Sequence, residues 1–251
     1  MLNLIEHDRT LCREFPPMQV TLSEKIYREL RRRVLAGELK PGTQIINRAF
    51  AQEMGVSLAP VREAIYRLAT ERLVELVPGA GAFVPQPSLQ DLEELYVLRD
   101  AIESCAAAEA ARNRTSGQLQ ALERTLITFE KILSVIRGEP SQLASDVILN
   151  RWLDCEEHFH RLIVEASRNR FLARVIDDHT ALGRVFGVQR HRAAILNLPI
   201  AQETCHDHTN IVMALRDRDA DTARRLMSEH IRKGCQRVLD YLRESNDLGH
   251  G

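Results

Sequence analysis

Apolar residues recur every fourth position at Leu22, Ile26, Leu30 and Val34, the one-sided stripe of an amphipathic helix. Thr21 or Ser23 offers a capping side chain, so the spacing predicts a helix over 22–36, ended by Gly37 and followed by a turn at Pro41-Gly42. Ile45-Ile46 reads as a short extended piece. Asn47 then caps a helix through Met54, and Ser57 caps the next, which runs to about Arg72. Pro60 falls in the first turn of that helix, where a missing N–H costs nothing. Gly55 stands between the two helices as a tight turn. The pattern then takes a period of two, and 73–77 and 82–85 read as two short strands across 79–81.

After Pro85-Gln86-Pro87 glycine becomes scarce and helical periodicity takes over. Helices are expected near 88–113, 116–137, 141–167, 170–190, 200–217 and 219–244. Breaks fall at 113–117, 138–140, 167–169, 198–199 and 217–219. Six long helices with short joins describe an antiparallel bundle. The expected fold is therefore mainly α: a lead-in over 1–20, a winged helix-turn-helix over 21–85, and an antiparallel all-α bundle over 88–244. No internal repeat or low-complexity segment interrupts it.

Composition adds less. The 251-residue chain has a formal net charge of −1. Residues 1–85 hold 12 lysines and arginines against 10 acidic residues, and the remainder holds 22 against 25. A weakly basic head on an acidic body permits nucleic-acid binding without demanding it. The five cysteines, Cys12, Cys105, Cys155, Cys205 and Cys235, are scattered with no CxxC pair, which argues against a thiol zinc knuckle or redox motif. A reduced cytoplasm is the simplest setting. The first residues include Glu6 and Asp8 and no apolar run of signal length, and no stretch approaches 18 uninterrupted apolar residues, so no membrane span is expected.

A short helix, a turn and a second helix with a basic residue near its start, followed by a glycine hairpin, form a device for docking on double-stranded DNA. Ser57 and Arg62 sit on the end of the second helix that meets base edges. A guanidinium reading a guanine contributes roughly 1–3 kcal/mol of discrimination. Arg48 opens the preceding helix and reaches phosphate or base, and Gly79 lets the wing backbone approach the minor groove. Either arginine alone reads equally as a solvated surface residue; the turn-helix-wing context is what favours DNA.

The bundle carries a second set of candidates. Glu156 and His160 stand four apart on one helix face. His208 and His230 lie on the last two helices, which a hairpin brings to one level. One carboxylate with three imidazoles suits a borderline divalent ion, zinc first, with nickel or manganese as alternatives. Taken singly, each histidine reads as a surface or hydrogen-bonded side chain. Arg99, within Leu98-Arg99-Asp100-Ala101-Ile102-Glu103, reads from its spacing as a helix-surface salt bridge to Glu103.

Four segments carry a family resemblance: Leu39-Lys40-Pro41-Gly42-Thr43, Met54-Gly55-Val56-Ser57, Pro60-Val61-Arg62-Glu63-Ala64 and Gly81-Ala82-Phe83-Val84. They resemble the GntR-type winged helix-turn-helix regulators. The helical remainder is similar to the ligand-sensing FCD domain of their FadR subfamily, and together the likeness covers about 20–242. It implies a homodimeric, ligand-responsive repressor on a palindromic operator. It also implies a metal set. The metal-binding members carry Asp-x-x-x-His before an Ala-Ser-x-Asn end, then two later histidines. His160 stands nine residues before Asn169 and matches the first. Glu156 falls where Asp is usual, and its longer arm asks for a small helix adjustment. His208 and His230 match the later pair. In this register Asp154 and His158 lie on another face, Cys205 and His206 are possible substitutes, and Asn169 is a helix cap. The likeness further implies that Arg99 faces the pocket and pairs with an effector carboxylate, so the effector is a small organic acid such as a sugar acid or dicarboxylate.

Two positions depart from the family. Leu58 replaces the usual arginine after the turn serine, and Ala80 replaces a basic residue before the wing glycine. Both missing groups are expected DNA contacts. They keep open a sensor that has lost DNA binding, and the metal set keeps open a helical-bundle metal-dependent hydrolase. Against the hydrolase stand the winged head and the lack of a further base or nucleophile.

Overall fold

The computed structural model describes residues 21–139, 144–185 and 195–247. In the head, α1 (Leu22–Leu35) starts where Thr21 Oγ1 accepts a hydrogen bond from the Glu24 amide at 3.1 Å, and it buries Ile26, Leu30 and Val34 of the expected stripe together with Tyr27, while Leu22 stays exposed. α2 (Asn47–Met54) and α3 (Leu58–Thr70) follow. Their caps differ from the expectation. The chain leaves the sheet extended through Ile46, which is the residue flanking α2, so Asn47 is already helical and caps nothing. Ser57 flanks α3, but its hydroxyl makes no capping bond. α3 stops at Thr70 because Arg72 takes a left-handed φ of 58°. Gly55 closes α2 in the left-handed region (φ 66°, ψ 35°), its amide returning to the Ala51 and Gln52 carbonyls, a helix ending that glycine adopts without a side-chain penalty.

The wing holds three strands among the described residues. β2 (Glu75–Val77) and β3 (Gly81–Phe83) pair antiparallel with Leu76 opposite Ala82, and β1 (Gln44–Ile45) pairs on the other side of β3 with Gln44 opposite Phe83. The extended piece at Ile45 is thus the third strand of the wing. Ile26, Leu30, Val61, Leu68, Leu73 and Val84 form the centre of the head's own core.

The bundle comprises α4 (Leu89–Asn113), α5 (Ser116–Gly138), α6 (Asp146–Ala166), α7 (Arg170–Val185), α8 (Leu198–Arg216) and α9 (Ala220–Asp247). The parts of the expected helices at 141–143 and 186–190 lie outside the described residues. α4 and α5 each begin in a capping box, Ser88 with Asp91 and Thr115 with Gln118, a device that satisfies two amides reciprocally. α8 starts two residues earlier than expected. Pro199 sits in its first turn rather than before it, and the Asn197 side chain accepts from the Ile200 amide at 3.0 Å. Asn169 caps α7 as expected, accepting from Phe171 and Leu172.

Two features position the interior. Ala106, Ala107, Ala110 and Ala111 on α4 are wholly buried and let neighbouring helices approach closely. Buried Arg114 donates to the Leu215 and Arg216 carbonyls at 2.7 and 2.6 Å, fastening the α4–α5 corner to the end of α8 and satisfying carbonyls that α8 itself leaves open. The deepest core holds Phe129, Trp152 and Phe159 in edge-to-face contacts. α7 touches both halves of the molecule. Leu172, Ala173 and Ile176 pack against Ile102, Ala106 and Val164, while Ala181 and Leu182 pack on the core of the head.

Candidate metal centre and nucleic-acid interface

Ion pairing sorts the basic residues of the head. Arg28, Arg32, Arg33 and Arg67 are held by Glu24, Glu29, Glu38 and Glu53 on the head's own surface. Arg48 and Arg62 are exposed and form no ion pair among the described residues. Both are therefore free to meet phosphate or base edges, on adjacent helices either side of the Gly55 turn. Ser57 is exposed with its hydroxyl uncommitted to the cap. Gly79 is exposed at the wing tip with φ 77°, a conformation that a side chain there would strain.

The two departures from the family pattern land differently. Leu58 packs against the head core, so its side chain replaces a polar contact with burial. Ala80 stays exposed in the wing turn, where its carbonyl accepts from Gln44 Nε2 at 2.7 Å. The structure also exposes a residue that sequence reasoning passed over. Tyr66, one helical turn after Arg62, is 63 % exposed. The i,i+4 spacing was the available signal.

In the bundle the four spaced residues come together. α6 supplies Glu156 and His160, α8 supplies His208 and α9 supplies His230; all are buried, and one donor atom from each lies within 4.8 Å of the others. The hairpin between α8 and α9 turns at Arg218, whose φ is 58°, and so carries His208 and His230 to one level. Glu156 places Oε1 3.4 Å from His208 Nε2 and Oε2 3.9 Å from His160 Nε2. α6 is helical through this stretch, and the glutamate arm reaches the cluster from it. His208 stacks on Phe159 at 4.0 Å between ring centroids, and His160 and His230 face each other at 5.3 Å.

Two carboxylates stand behind the histidines: Asp207, which sequence reasoning missed, and Glu103, which it named only as a partner of Arg99. Glu103, on α4, pairs with His160 Nδ1 and also accepts from Arg99 Nε at 2.6 Å. Burial alone would raise the Glu103 carboxyl, but the Arg99 guanidinium and then His160 hold it well below the ordinary carboxylate range. Asp207 places Oδ2 3.6 Å from His230 Nδ1, an ion-pair distance rather than a hydrogen bond, and is held in turn by Lys233 at 2.9 Å. The Arg99–Glu103 salt bridge forms as the spacing suggests, but in the interior rather than on the helix surface, the Arg99 side chain 12 % exposed.

The donor set fits a divalent cation. His160 Nε2 is buried with no hydrogen-bond partner among the described residues, an atom that costs free energy if left so. Burial lowers the His160 pKa despite Glu103, favouring the neutral form that coordinates metal. In a tetrahedral zinc site two ligand atoms lie about 3.4 Å apart, so the widest pairs of a set spread within 4.8 Å would close by about an ångström around the ion. The other candidates fall away. Cys205 lies outside the group and burial pushes its thiol up to about 12, as it does that of Cys155. His206 is exposed beside Asn210, and Asp154 and His158 are exposed on the far face of α6.

A cavity of about 40 Å³ adjoins the cluster, lined by Arg99, Trp152, Leu196, Thr204, His230 and Arg237 among others. That volume holds a few waters.

Comparison with known proteins agrees with this architecture. Residues 22–84 match the bacterial regulatory proteins of the gntR family, and residues 94–233 match the FCD domain. The HTH-type transcriptional repressor RspR of Escherichia coli K12 is 26 % identical over 227 residues, 90 % of this chain and 92 % of that protein. The Nta operon transcriptional regulator of Aminobacter aminovorans is 26 % identical over 208 residues, covering 81 % and 88 %. Among solved structures, Escherichia coli McbR/YncC superposes with a TM-score of 0.65 at 21 % identity, over 87 % of this chain and 97 % of that one. A GntR regulator from Rhodococcus sp. RHA1 does so with a TM-score of 0.64 at 18 % identity, over 87 % and 97 %. Among the described residues no helix is long and apolar enough to cross a membrane. A winged head joined to a helical bundle, with both halves matched, makes this chain a member of the gntR family of bacterial transcriptional regulators with an FCD domain, and not an enzyme.

Proposed function

We propose that the chain is a cytoplasmic, homodimeric repressor that releases or grips a palindromic operator according to a small organic acid bound beside a metal ion. Two units carry the two tasks, the head over 21–85 reading DNA and the bundle over 88–244 sensing the acid. The observation that supports this most is the buried set Glu156, His160, His208 and His230, opening on a cavity walled by Arg99. Those four residues would hold the ion, zinc by donor type, with nickel or manganese also accommodated. When bound, the ion supplies a Lewis-acidic partner for a carboxylate oxygen. Glu103 fixes the His160 ring through Nδ1 and leaves Nε2 facing the cluster, the orienting role that carboxylates take behind metal-bound histidines. Arg99 engages Glu103 through Nε alone, so its two terminal amino groups remain for the acid, the geometry a carboxylate prefers.

On the DNA, Arg62 and Ser57 meet base edges, Arg48 meets phosphate or base, and the Gly79 turn enters the minor groove. Two heads related by a dimer axis would engage half-sites about one helical turn apart. The acid changes operator affinity only through a difference in its contacts between the two arrangements of the heads.

Footprinting of the purified protein over the DNA upstream of its own coding sequence tests this reading, with and without a panel of organic acids. A protected palindrome whose occupancy changes with one acid is expected. Absence of any protected palindrome across salt concentrations contradicts it.

A further inference from the structure

We infer that the cavity beside the metal cluster is built for a dicarboxylic acid, with Arg99 receiving one carboxylate and Arg237 the other. This rests on the reading of the cavity as an effector site and names the chemical class it takes. Arg99 on α4 and Arg237 on α9 line one cavity, with His230 of the cluster in the same wall. Neither guanidinium is spent. Arg99 donates to Glu103 only through Nε, and Arg237 donates to Glu203 only through Nη2, among the described residues. Each therefore keeps donors for a ligand while its charge is balanced by a protein carboxylate in the empty state.

The wall between them is apolar, formed by Trp152, Leu196, Ile200 and Ile231, and suits the methylene chain of a diacid. Thr204, buried on α8, adds a hydroxyl to the same lining. A monocarboxylate would engage one arginine and leave the other with its protein carboxylate alone. A diacid satisfies both and ties α4 to α9, the helices that carry Arg99 and His230. At about 40 Å³ the cavity is smaller than such a ligand, so binding would require its lining to open.

The test is calorimetric titration of the full-length, zinc-loaded protein with malonate, succinate, glutarate and adipate, each against the monoacid of equal chain length, propionate to hexanoate. At least one diacid is expected to bind about tenfold or more tightly than its monoacid, the gain of a second charge-assisted pair. Arg237→Gln is expected to bring that ratio close to one, and Arg237→Lys, which keeps the charge and guards against a folding artefact, to restore part of it. Equal affinities for diacids and monoacids, or a preference that persists in Arg237→Gln, overturn the inference while leaving an organic-acid effector standing. Binding of no acid of either series overturns both.

Discussion

Glu103 is 3 % exposed and joins Arg99 to His160. Its effect on the proposed metal set would be indirect, through the tautomer and orientation of one imidazole. Glu103→Gln keeps the shape and removes the charge, so metal affinity is expected to fall about 10- to 100-fold with helix content unchanged. Competition with a chromophoric chelator measures this, and unaltered affinity contradicts the orienting role. The same residues set a pH dependence. Burial holds His160 below its ordinary value, so between that value, about 6.5, and the folded one, the unfolded chain binds a proton that the folded chain refuses. Stability therefore falls as pH drops below about 6.5. Glu103, held low, contributes stability above the ordinary carboxylate value that is lost as pH falls through and below it. The melting temperature is expected to decline from pH 7 to 5 and again below about pH 4; a flat profile from 7 to 5 contradicts the burial of a neutral imidazole. The four clustered residues were legible from spacing and family likeness. Glu103 and Asp207 were not, because what makes them matter is a partner on another helix.

Among the elements, α3 shows how local pattern and tertiary placement diverge. The turn at Gly55 and the helix after it follow from glycine and apolar spacing alone. Which side chains face outward does not. Leu58 reads as a lost contact, and its side chain also packs, partly buried, on the head core, while Tyr66 reads as unremarkable and is largely exposed. The cap at Asn47 failed because β1 carries extended backbone to Ile46, and a two-residue strand has too short a pattern to be seen. The proposed reading gives Arg62 the base-reading role at this scale. Arg62→Ala is expected to weaken operator binding by about 1–3 kcal/mol and relax preference at one position, measured by fluorescence anisotropy on duplex DNA from the protected region. Wild-type affinity would refute its role.

At the scale of the whole molecule, α7 is the element that contacts both the head and the sensing bundle. Its Leu172 and Ile176 pack on Ile102, the neighbour of Glu103, and its Leu182 packs on the head core. If a ligand shifts α4, these packed side chains would pass the shift to the head. Leu182→Ala is expected to reduce the change in operator affinity caused by the effector while leaving metal content unaltered; a full response in this variant contradicts the path. The division into a winged head and a helical bundle was legible in the switch of period near Pro85, because each half carries its own apolar pattern. The contact of α7 with the head was not, since Ala181 and Leu182 read as one more turn of a bundle helix. The claim on which the sensing account depends is that the buried set on α6, α8 and α9 holds a metal ion, and elemental analysis of the purified protein beside its His160→Ala/His208→Ala variant tests it most directly. One divalent ion per chain in the wild type, absent from the double variant with a lowered melting temperature, is the predicted result; equal metal content in the two proteins, or none in the wild type after incubation with zinc, would contradict it.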